Sequence, residues 1–259
     1  IWQADKSVWG YHAPILFPHA GKVVDGKIEA KGKVFESAQH GFARGMEHRF
    51  VEQTEDTIVL ELCSSPETLA KFPYEFRLVS TFTLENDTLH HTLTVENLDE
   101  EKMGFGIGYH PAFTVPFDDK HVATDYELRF SDAESPICLN CLPTGLVQPN
   151  HYVLGNNITT IPVDENLFAN DSHCMCNLRS ATLGIYERGT GRGVVCDIRE
   201  FPYTLIWSKP GQPRFVCIEP WQSLPSFEGG SRKWDEKAHA AILDPGEAWS
   251  TTLSTSFVR

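Results

Sequence analysis

Two titratable residues in this sequence stand in settings that suit acid–base chemistry. Glu219 ends the apolar run Phe215-Val216-Cys217-Ile218, and His110 lies between Gly106-Ile107-Gly108 and Pro111. A carboxylate at the end of an apolar strand is partly dehydrated, which raises its pKa and suits a general base. Small residues before His110 permit close backbone approach, and Pro111 restricts the backbone to extended conformations. Each group also fits a structural role, Glu219 as a strand cap or ion-pair partner and His110 as a hydrogen-bonded core histidine.

Five other polar and aromatic residues are candidates for holding a sugar. His40 and Arg44 lie on either side of a glycine in a predicted loop, and imidazole and guanidinium groups are natural donors to sugar hydroxyls. Phe42, Phe113 and Trp221 could pack against the apolar C–H face of a sugar ring. Aromatic residues in such positions otherwise belong to a protein core.

Other motifs with known chemistry are weak or missing in the sequence. The segment His173-Cys174-Met175-Cys176 has metal-ligand residue types, but its spacing matches no strong zinc pattern, and we interpret it as structural. No glycine-rich phosphate loop follows a predicted strand and opens a helix, and no G-x-S-x-G nucleophile signature occurs. The motifs therefore predict no resident metal.

Short runs with period-two alternation dominate the chain and predict an all-β fold of the sandwich or barrel type. The clearest are Glu75–Leu84 and, after the turn-forming residues 85–88, the segment that contains Leu89, Leu93 and Val95. Single helical turns are predicted at Ser65–Ala70 and Asp164–Asn170. Further strands are predicted at Thr57–Leu62, Tyr126–Phe130, Thr182–Glu187, Gly193–Arg199, Tyr203–Ser208, Arg214–Glu219 and Trp249–Val258.

The length and the lack of a long linker favour one domain over residues 1–259. Residues 135–157 are rich in Pro, Asn and Gly, so we interpret them as a loop excursion inside that domain.

The charge balance limits the kinds of partner that this protein can bind. The net charge is −13, from 35 acidic and 22 basic residues, which disfavours nucleic acids and anionic membrane surfaces. No apolar run approaches the roughly 20 residues that a membrane helix requires. Seven cysteines, an odd number, and no apparent signal peptide favour a reducing, cytoplasmic setting. A neutral small molecule fits this composition best, and the oligomeric state stays open.

Taken together, the motifs resemble those of the aldose 1-epimerase (mutarotase) family, specifically its LacX-like branch. The resemblance spans nearly the whole chain, and the order and separation of its motifs are more specific than any one of them. It implies a galactose-mutarotase-like β-supersandwich with few short helices. Family members usually have a further strand pair before the position of Ile1, so N-terminal strands are expected to be missing here. The matched motifs are Ile1-Trp2-Gln3, Trp9, Pro14–Pro18, His40–Arg44, Phe72–Phe76, Gly108–Phe113, Cys217–Trp221 and Leu243–Glu247.

The resemblance also implies a role for each matched residue. Glu219 corresponds to the catalytic base, His110 to the catalytic acid, His40 to a histidine near the ring oxygen and Arg44 to a substrate-contacting arginine. Glu219 would take the proton of the anomeric hydroxyl, and His110 would protonate the ring oxygen from the opposite side of the hemiacetal of a free aldose. The open aldehyde would rotate and reclose, so no cofactor is required. An aspartate that binds sugar hydroxyls in the better-studied branch has no counterpart among the matched motifs.

Three other functions remain open from the sequence. A non-catalytic carbohydrate-binding protein would need the aromatic residues with His40 and Arg44, but not the acid–base pair. A sugar-phosphate 1-epimerase would need several basic residues, of which Arg44 and Lys22 alone lie near the motifs. A glycoside hydrolase would need a second carboxylate, and none has a clear claim to the site.

Overall fold

β-Strands form most of the regular structure in the computed structural model, which describes residues 1–211 and 213–259. The helical segments in these ranges are α1 (Pro66–Leu69) and the 3-10 turns Val24–Gly26, Ala43–Gly45, Ala123–Asp125 and Trp234–Glu236. The strands are β1 Ile15–Leu16, β2 Lys27–Ala30, β3 Lys33–Glu36, β4 Arg49–Gln53, β5 Thr57–Cys63, β6 Phe76–Glu85, β7 Thr88–Asn97, β8 Met103–Phe105, β9 Gly108–Tyr109, β10 Ala112–Thr114, β11 Tyr126–Glu134, β12 Ile137–Leu139, β13 His151–Val153, β14 Ile158–Pro162, β15 His173–Cys176, β16 Thr182–Glu187, β17 Gly193–Asp197, β18 Tyr203–Trp207, β19 Phe215–Trp221, β20 Ala241–Leu243 and β21 Ala248–Val258. The predicted all-β class with few short helices is confirmed.

Two large antiparallel sheets enclose the main core. The site sheet has the order β1-β9-β19-β18-β15-β12-β13, and β10 also pairs with β19. The long sheet has the order β14-β11-β16-β17-β21-β7-β6-β5-β4, and two small sheets pair β2 with β3 and β8 with β20. The largest cluster of buried apolar side chains takes residues from both large sheets, so this core lies between them. None of the helices in the described ranges has the length and apolarity needed to cross a membrane.

The hairpin of β6 and β7 confirms the clearest alternation in the sequence. The strands pair from Phe76↔Asn97 to Glu85↔Thr88, and Asn86 opens the two-residue turn with φ 53°. Phe76, Leu78, Leu93 and Val95 are fully buried, as predicted. Leu84 lies on the predicted apolar face but is 54% exposed, because the hairpin extends past the edge of the core.

Strand β19 is buried on both faces, which its continuous apolar run predicts. Val216 and Ile218 point into the main core between the sheets. Phe215 and Cys217 belong to a separate apolar cluster on the other face of the strand. Period-two alternation puts Glu219 on that second face, where burial leaves it only 2% exposed.

Two local predictions are wrong. Residues 164–170 form successive turns rather than a helix, in which the N–H groups of Ala169 and Asp171 donate to carbonyl oxygens three residues back, at Asn166 and Phe168. The excursion at 135–157 is not a structureless loop, since it contains the paired strands β12 and β13 at one edge of the site sheet.

The buried imidazole of His91 makes folding sensitive to acid. Its Nε2 lies 2.7 Å from the Ser80 hydroxyl, its ring stacks on Phe82 at 4.0 Å, and burial lowers its pKa to about 3. The unfolded chain takes up this proton near pH 6.5 and the folded protein does not, so stability falls as pH drops from about 6.5 towards 3. We expect His91→Gln to remove about 2 kcal/mol of the stability loss between pH 7 and pH 5.

Urea unfolding followed by tryptophan fluorescence at both pH values measures this difference. His151→Gln is the control, because His151 is exposed and its replacement should leave the pH dependence unchanged. An equal loss of stability in His91→Gln and the parent protein would show that His91 is not responsible.

Candidate active site

A cavity of about 370 Å³ opens beside His110 and Glu219, within the range of about 300–1,000 Å³ that ligand sites occupy. A second cavity of about 460 Å³ adjoins it and shares five of its lining residues. Of the seven predicted site residues, the first cavity brings together Glu219, His110, His40, Arg44 and Trp221. Its other lining residues are Trp9, Gln39, Asp171, Ser172, Leu205 and Trp207.

The register of the site sheet places His110 opposite Glu219. Gly108 pairs with Trp221, and Ala112 pairs with Cys217, so the residue midway between each pair faces its counterpart. A Cβ on Gly108 would lie 2.6 Å from the Trp221 ring, which explains why the approach of β9 to β19 requires glycine. The predicted close backbone approach before His110 is confirmed.

The two side chains are in direct contact on one wall of the cavity. His110 Nε2 lies 3.3 Å from Glu219 Oε2, and both side chains are nearly inaccessible to solvent. The expected placement of the acid and the base on opposite sides of a hemiacetal is not what the structure shows, because the two groups touch directly. The reason is the sheet register, which aligns the two residues on adjacent segments.

Burial sets the protonation of this pair. It raises the pKa of Glu219, and the negative charge of Asp171 adds to the rise. Burial also lowers the pKa of His110, with a smaller contribution from the positive charge of Arg44. Both shifts favour neutral groups, so the pair holds one proton, which the two groups share and titrate as a unit.

Aromatic rings cover the imidazole of His110. Trp9 stacks on it with ring centroids 4.9 Å apart, and Trp207 meets it edge-on at 5.6 Å. Trp207 pairs with Cys217 in the β18–β19 register, two positions from the Leu205–Glu219 pair, so alternation could have identified it. Trp9 arrives from an irregular N-terminal segment, and no spacing in the sequence predicts this contact.

A sharp bend of the backbone presents His40. His40 and Gly41 have φ values of 66° and 68°, and a Cβ on Gly41 would lie 2.2 Å from the Phe17 carbonyl oxygen, so glycine is required. The Gly21 N–H donates to His40 Nδ1 at 3.0 Å. Burial lowers the pKa of His40, and His110 and Arg44 add to this shift. The neutral ring therefore carries its hydrogen on Nε2, where it is a donor.

Arg44 and Asp171 bring opposite charges to the cavity. Arg44 Nη2 donates to the Gln39 carbonyl oxygen at 2.9 Å, and its guanidinium lies over the Tyr11 ring at 5.1 Å. The Asp171 carboxylate accepts the indole N–H of Trp207 at 2.6 Å. Asp171 lies in the irregular segment before β15, where no periodicity could have assigned its direction.

Phe42 and Phe113 lie away from the cavity, which corrects the expectation that they pack against a sugar. Phe113 pairs with Val216 and is 4% exposed in the core between the two sheets. Phe42 packs edge-on against Phe17 at 6.1 Å and contacts Phe76 at 6.0 Å. Both residues stabilise the core beneath the site.

Two groups of side chains in the described ranges have the composition and spacing of metal ligands. The donor atoms of His110, Cys217 and Glu219 all lie within 4.8 Å of one another. The other group, Asp118, His121 and Glu187, already surrounds a cation, because the guanidinium of Arg192 binds both of its carboxylates. Among residues 1–211 and 213–259, neither group includes the cysteines of β15, and all seven cysteines are free.

Comparison with known proteins places this chain in a family. The sequence model of the aldose 1-epimerase family matches residues 1–256. Protein LacX (chromosomal) of Lactococcus lactis subsp. lactis is 31% identical over 252 residues, which cover 94% of this chain and 84% of that protein.

Solved structures share the fold. A galactose mutarotase related enzyme from Lactobacillus acidophilus superposes with a TM-score of 0.93 at 27% identity, covering 100% of this chain and 86% of that one. A galactose mutarotase-like protein from Lactobacillus casei ATCC 334 gives a TM-score of 0.89 at 27% identity, with 99% and 88% covered. The predicted galactose-mutarotase-like fold and the likeness to LacX are thus confirmed, and the chain belongs to the aldose 1-epimerase family.

Proposed function

We propose that this protein is an aldose 1-epimerase that interconverts the α and β anomers of a free aldose. The observation that carries the proposal is the buried 3.3 Å contact between His110 Nε2 and Glu219 Oε2 on the wall of a polar and aromatic cavity. Membership of the aldose 1-epimerase family supports the same reaction class.

The adjacent acid and base match the two oxygens that react. The anomeric hydroxyl and the ring oxygen are bonded to the same carbon, so neighbouring groups reach both. Glu219 takes the hydroxyl proton, His110 gives its Nε2 proton to the ring oxygen, and the C1–O5 bond breaks to give the open aldehyde. Rotation about C1–C2 followed by the reverse steps closes the other anomer and returns both groups to their starting states.

The proton that the pair already holds is sufficient for this cycle. Moving it from Glu219 to His110 converts the neutral pair into the carboxylate and imidazolium that ring opening needs. Sugar hydroxyls that enter the cavity solvate both charges. The Trp9 ring that stacks on the imidazole also favours its cationic form.

The remaining lining residues suit a neutral sugar. His40 Nε2 and Arg44 offer donors, and Asp171 offers an acceptor to hydroxyl groups. Trp9, Trp207 and Trp221 provide apolar ring surfaces.

The residues that line the cavity argue against two alternative functions, a sugar-phosphate 1-epimerase and a non-catalytic binding protein. Arg44 is the one arginine or lysine among the described lining residues, and the Asp171 carboxylate offsets its charge, so the cavity offers a phosphate dianion no net attraction. A binding protein would gain nothing from a buried imidazole and carboxyl, which cost stability without a catalytic role. Asp171 is a second carboxylate at the cavity, as hydrolysis would require, and no sequence pattern identifies it. It nevertheless lies at the exposed edge, hydrogen-bonded to Trp207, while Glu219 contacts an imidazole.

Loss of either proton-transfer group should abolish most of the activity. We expect Glu219→Gln and His110→Asn each to lower kcat for anomer interconversion by about 10²–10⁴-fold. Polarimetry or NMR exchange between the anomers of glucose and galactose measures this rate. His151→Asn, at an exposed position outside the cavity, is the control and should retain the parent rate. Near-full activity in either variant would remove that residue from the mechanism.

Asp171 should act mainly in sugar binding. Asp171→Asn keeps the shape and one oxygen for the Trp207 indole but removes a charged acceptor. We expect KM to rise by about tenfold, a typical effect of one hydrogen bond to a charged group, with a smaller change in kcat. A kcat loss as large as that of Glu219→Gln with unchanged KM would contradict a binding role.

Substrate charge provides a further test. We expect kcat/KM for a free aldose to exceed that for its 6-phosphate by at least about tenfold, because Asp171 offsets the charge of Arg44 and the dianion would lose water without a compensating cation. The same anomer-exchange measurement on both sugars gives the ratio. A preference for the phosphate would favour the sugar-phosphate epimerase instead.

A further inference from the structure

Three donor atoms of different chemistry meet beneath the cavity. His110 offers an imidazole nitrogen, Cys217 a sulfur and Glu219 a carboxylate oxygen, all within 4.8 Å of one another. Cys217 plays no part in the proposed proton transfers and does not line the cavity. We propose that these three residues bind a thiophilic divalent cation, with Zn²⁺ as its best representative, and that the bound ion blocks the acid–base pair.

The spacing of the donors fits a tetrahedral ion. Zinc binds imidazole nitrogen and carboxylate oxygen at about 2.0–2.2 Å, which places these two ligands about 3.4 Å apart at the tetrahedral angle. The observed separation of His110 Nε2 and Glu219 Oε2 is 3.3 Å. The 4.8 Å limit on the sulfur means that Cys217 needs to move by about 1 Å at most to complete the set.

The backbone holds the donors in place. Cys217 and Glu219 are two residues apart on β19, so their side chains share one face of the strand. His110 lies in the link between β9 and β10, and both of these strands pair with β19. Three protein ligands leave a fourth position, and because His110 and Glu219 line the cavity, that position faces the cavity.

The donor set selects the kind of metal. A thiolate, an imidazole and a carboxylate together suit Zn²⁺ and neighbouring transition metals, whereas Mg²⁺ and Ca²⁺ prefer oxygen ligands. Burial and the nearby Glu219 raise the pKa of the Cys217 thiol, so the ion must displace a proton from the sulfur as it binds, and it must also displace the proton that His110 and Glu219 share. Both protons leave with the buffer, and no oxidation or reduction takes place.

Metal binding is independent of the proposed epimerase activity, whereas the inhibition rests on it. An ion on His110 Nε2 and Glu219 occupies the atoms that would exchange protons with the sugar. Metal-free protein should therefore be the active form, and Zn²⁺ should inhibit it without competing for the sugar hydroxyl contacts made by His40.

Titration of the tag-free, chelator-treated protein tests the site directly. Zn²⁺ is followed by calorimetry, and Co²⁺ by the near-ultraviolet charge-transfer absorption that a cobalt–thiolate bond produces. We expect one tight ion per chain and a thiolate band in the parent protein. Cys217→Ser should lose the band and bind Zn²⁺ at least about tenfold more weakly, since even outer contacts to metal ligands contribute about 10–100-fold.

Cys196→Ser is the matched control. Cys196 is equally buried, lies on β17 of the long sheet, and contacts Thr255 rather than the site, so its replacement should leave the affinity and the band unchanged. Excess Mg²⁺ should not displace the ion.

Each outcome bears on one part of the proposal. Failure of the parent protein to bind Zn²⁺, or binding without a thiolate band, overturns the site whether or not Cys217→Ser folds. Binding with full anomer exchange in the presence of Zn²⁺ overturns the inhibition. Lack of activity in the metal-free protein refutes the proposed epimerase instead, and the band still decides the metal site.

Discussion

The contact between His110 and Glu219 is the interaction on which the site depends. The sheet register creates this contact, and burial of β19 on both faces sets its protonation. Dehydration disfavours a charge on either group, so the pair keeps one proton between two basic atoms 3.3 Å apart. An exposed carboxylate and imidazole would instead titrate separately, near their ordinary pKa values. The surrounding tryptophans maintain this condition by excluding water from the imidazole faces.

Alternate side chains along β19 have different roles: one set packs in the core, and the other set belongs to the site. Val216 and Ile218 face the main core and hold the strand between the two sheets. Cys217 and Glu219 point to the other face, where the neighbouring segment brings His110 opposite them. A shift of the register by one residue would exchange these two sets and bury the carboxylate in the core. The pairing of β19 with β9, β10 and β18 is therefore as necessary to the site as the reactive groups themselves.

The local sequence pattern was enough to predict the strands and most of the site, but it did not predict the direction of every side chain. Alternation identified the β6–β7 hairpin, and the motifs named five residues that the fold brings to one cavity. Phe42 and Phe113 were misassigned because proximity in sequence to His40 and His110 does not reveal which face of the sheet a side chain occupies. Asp171 and Trp9 belong to irregular segments, where only long-range packing fixes their position.

The packing around His110 and Glu219 also explains why the nearby thiol of Cys217 matters for metal binding. Cys217 lies between Ala112 and Trp207 in the sheet register, a tightly packed position that suits a small side chain of low polarity. A neutral thiol meets this requirement, and so would the side chain of alanine. Unlike alanine, the thiol adds a third metal donor beside an imidazole and a carboxylate. Dry surroundings keep all three groups uncharged in the absence of a ligand, which preserves the shared proton. Once a cation has displaced their protons, the same dry surroundings strengthen its attraction to the three groups, because little water screens the charges.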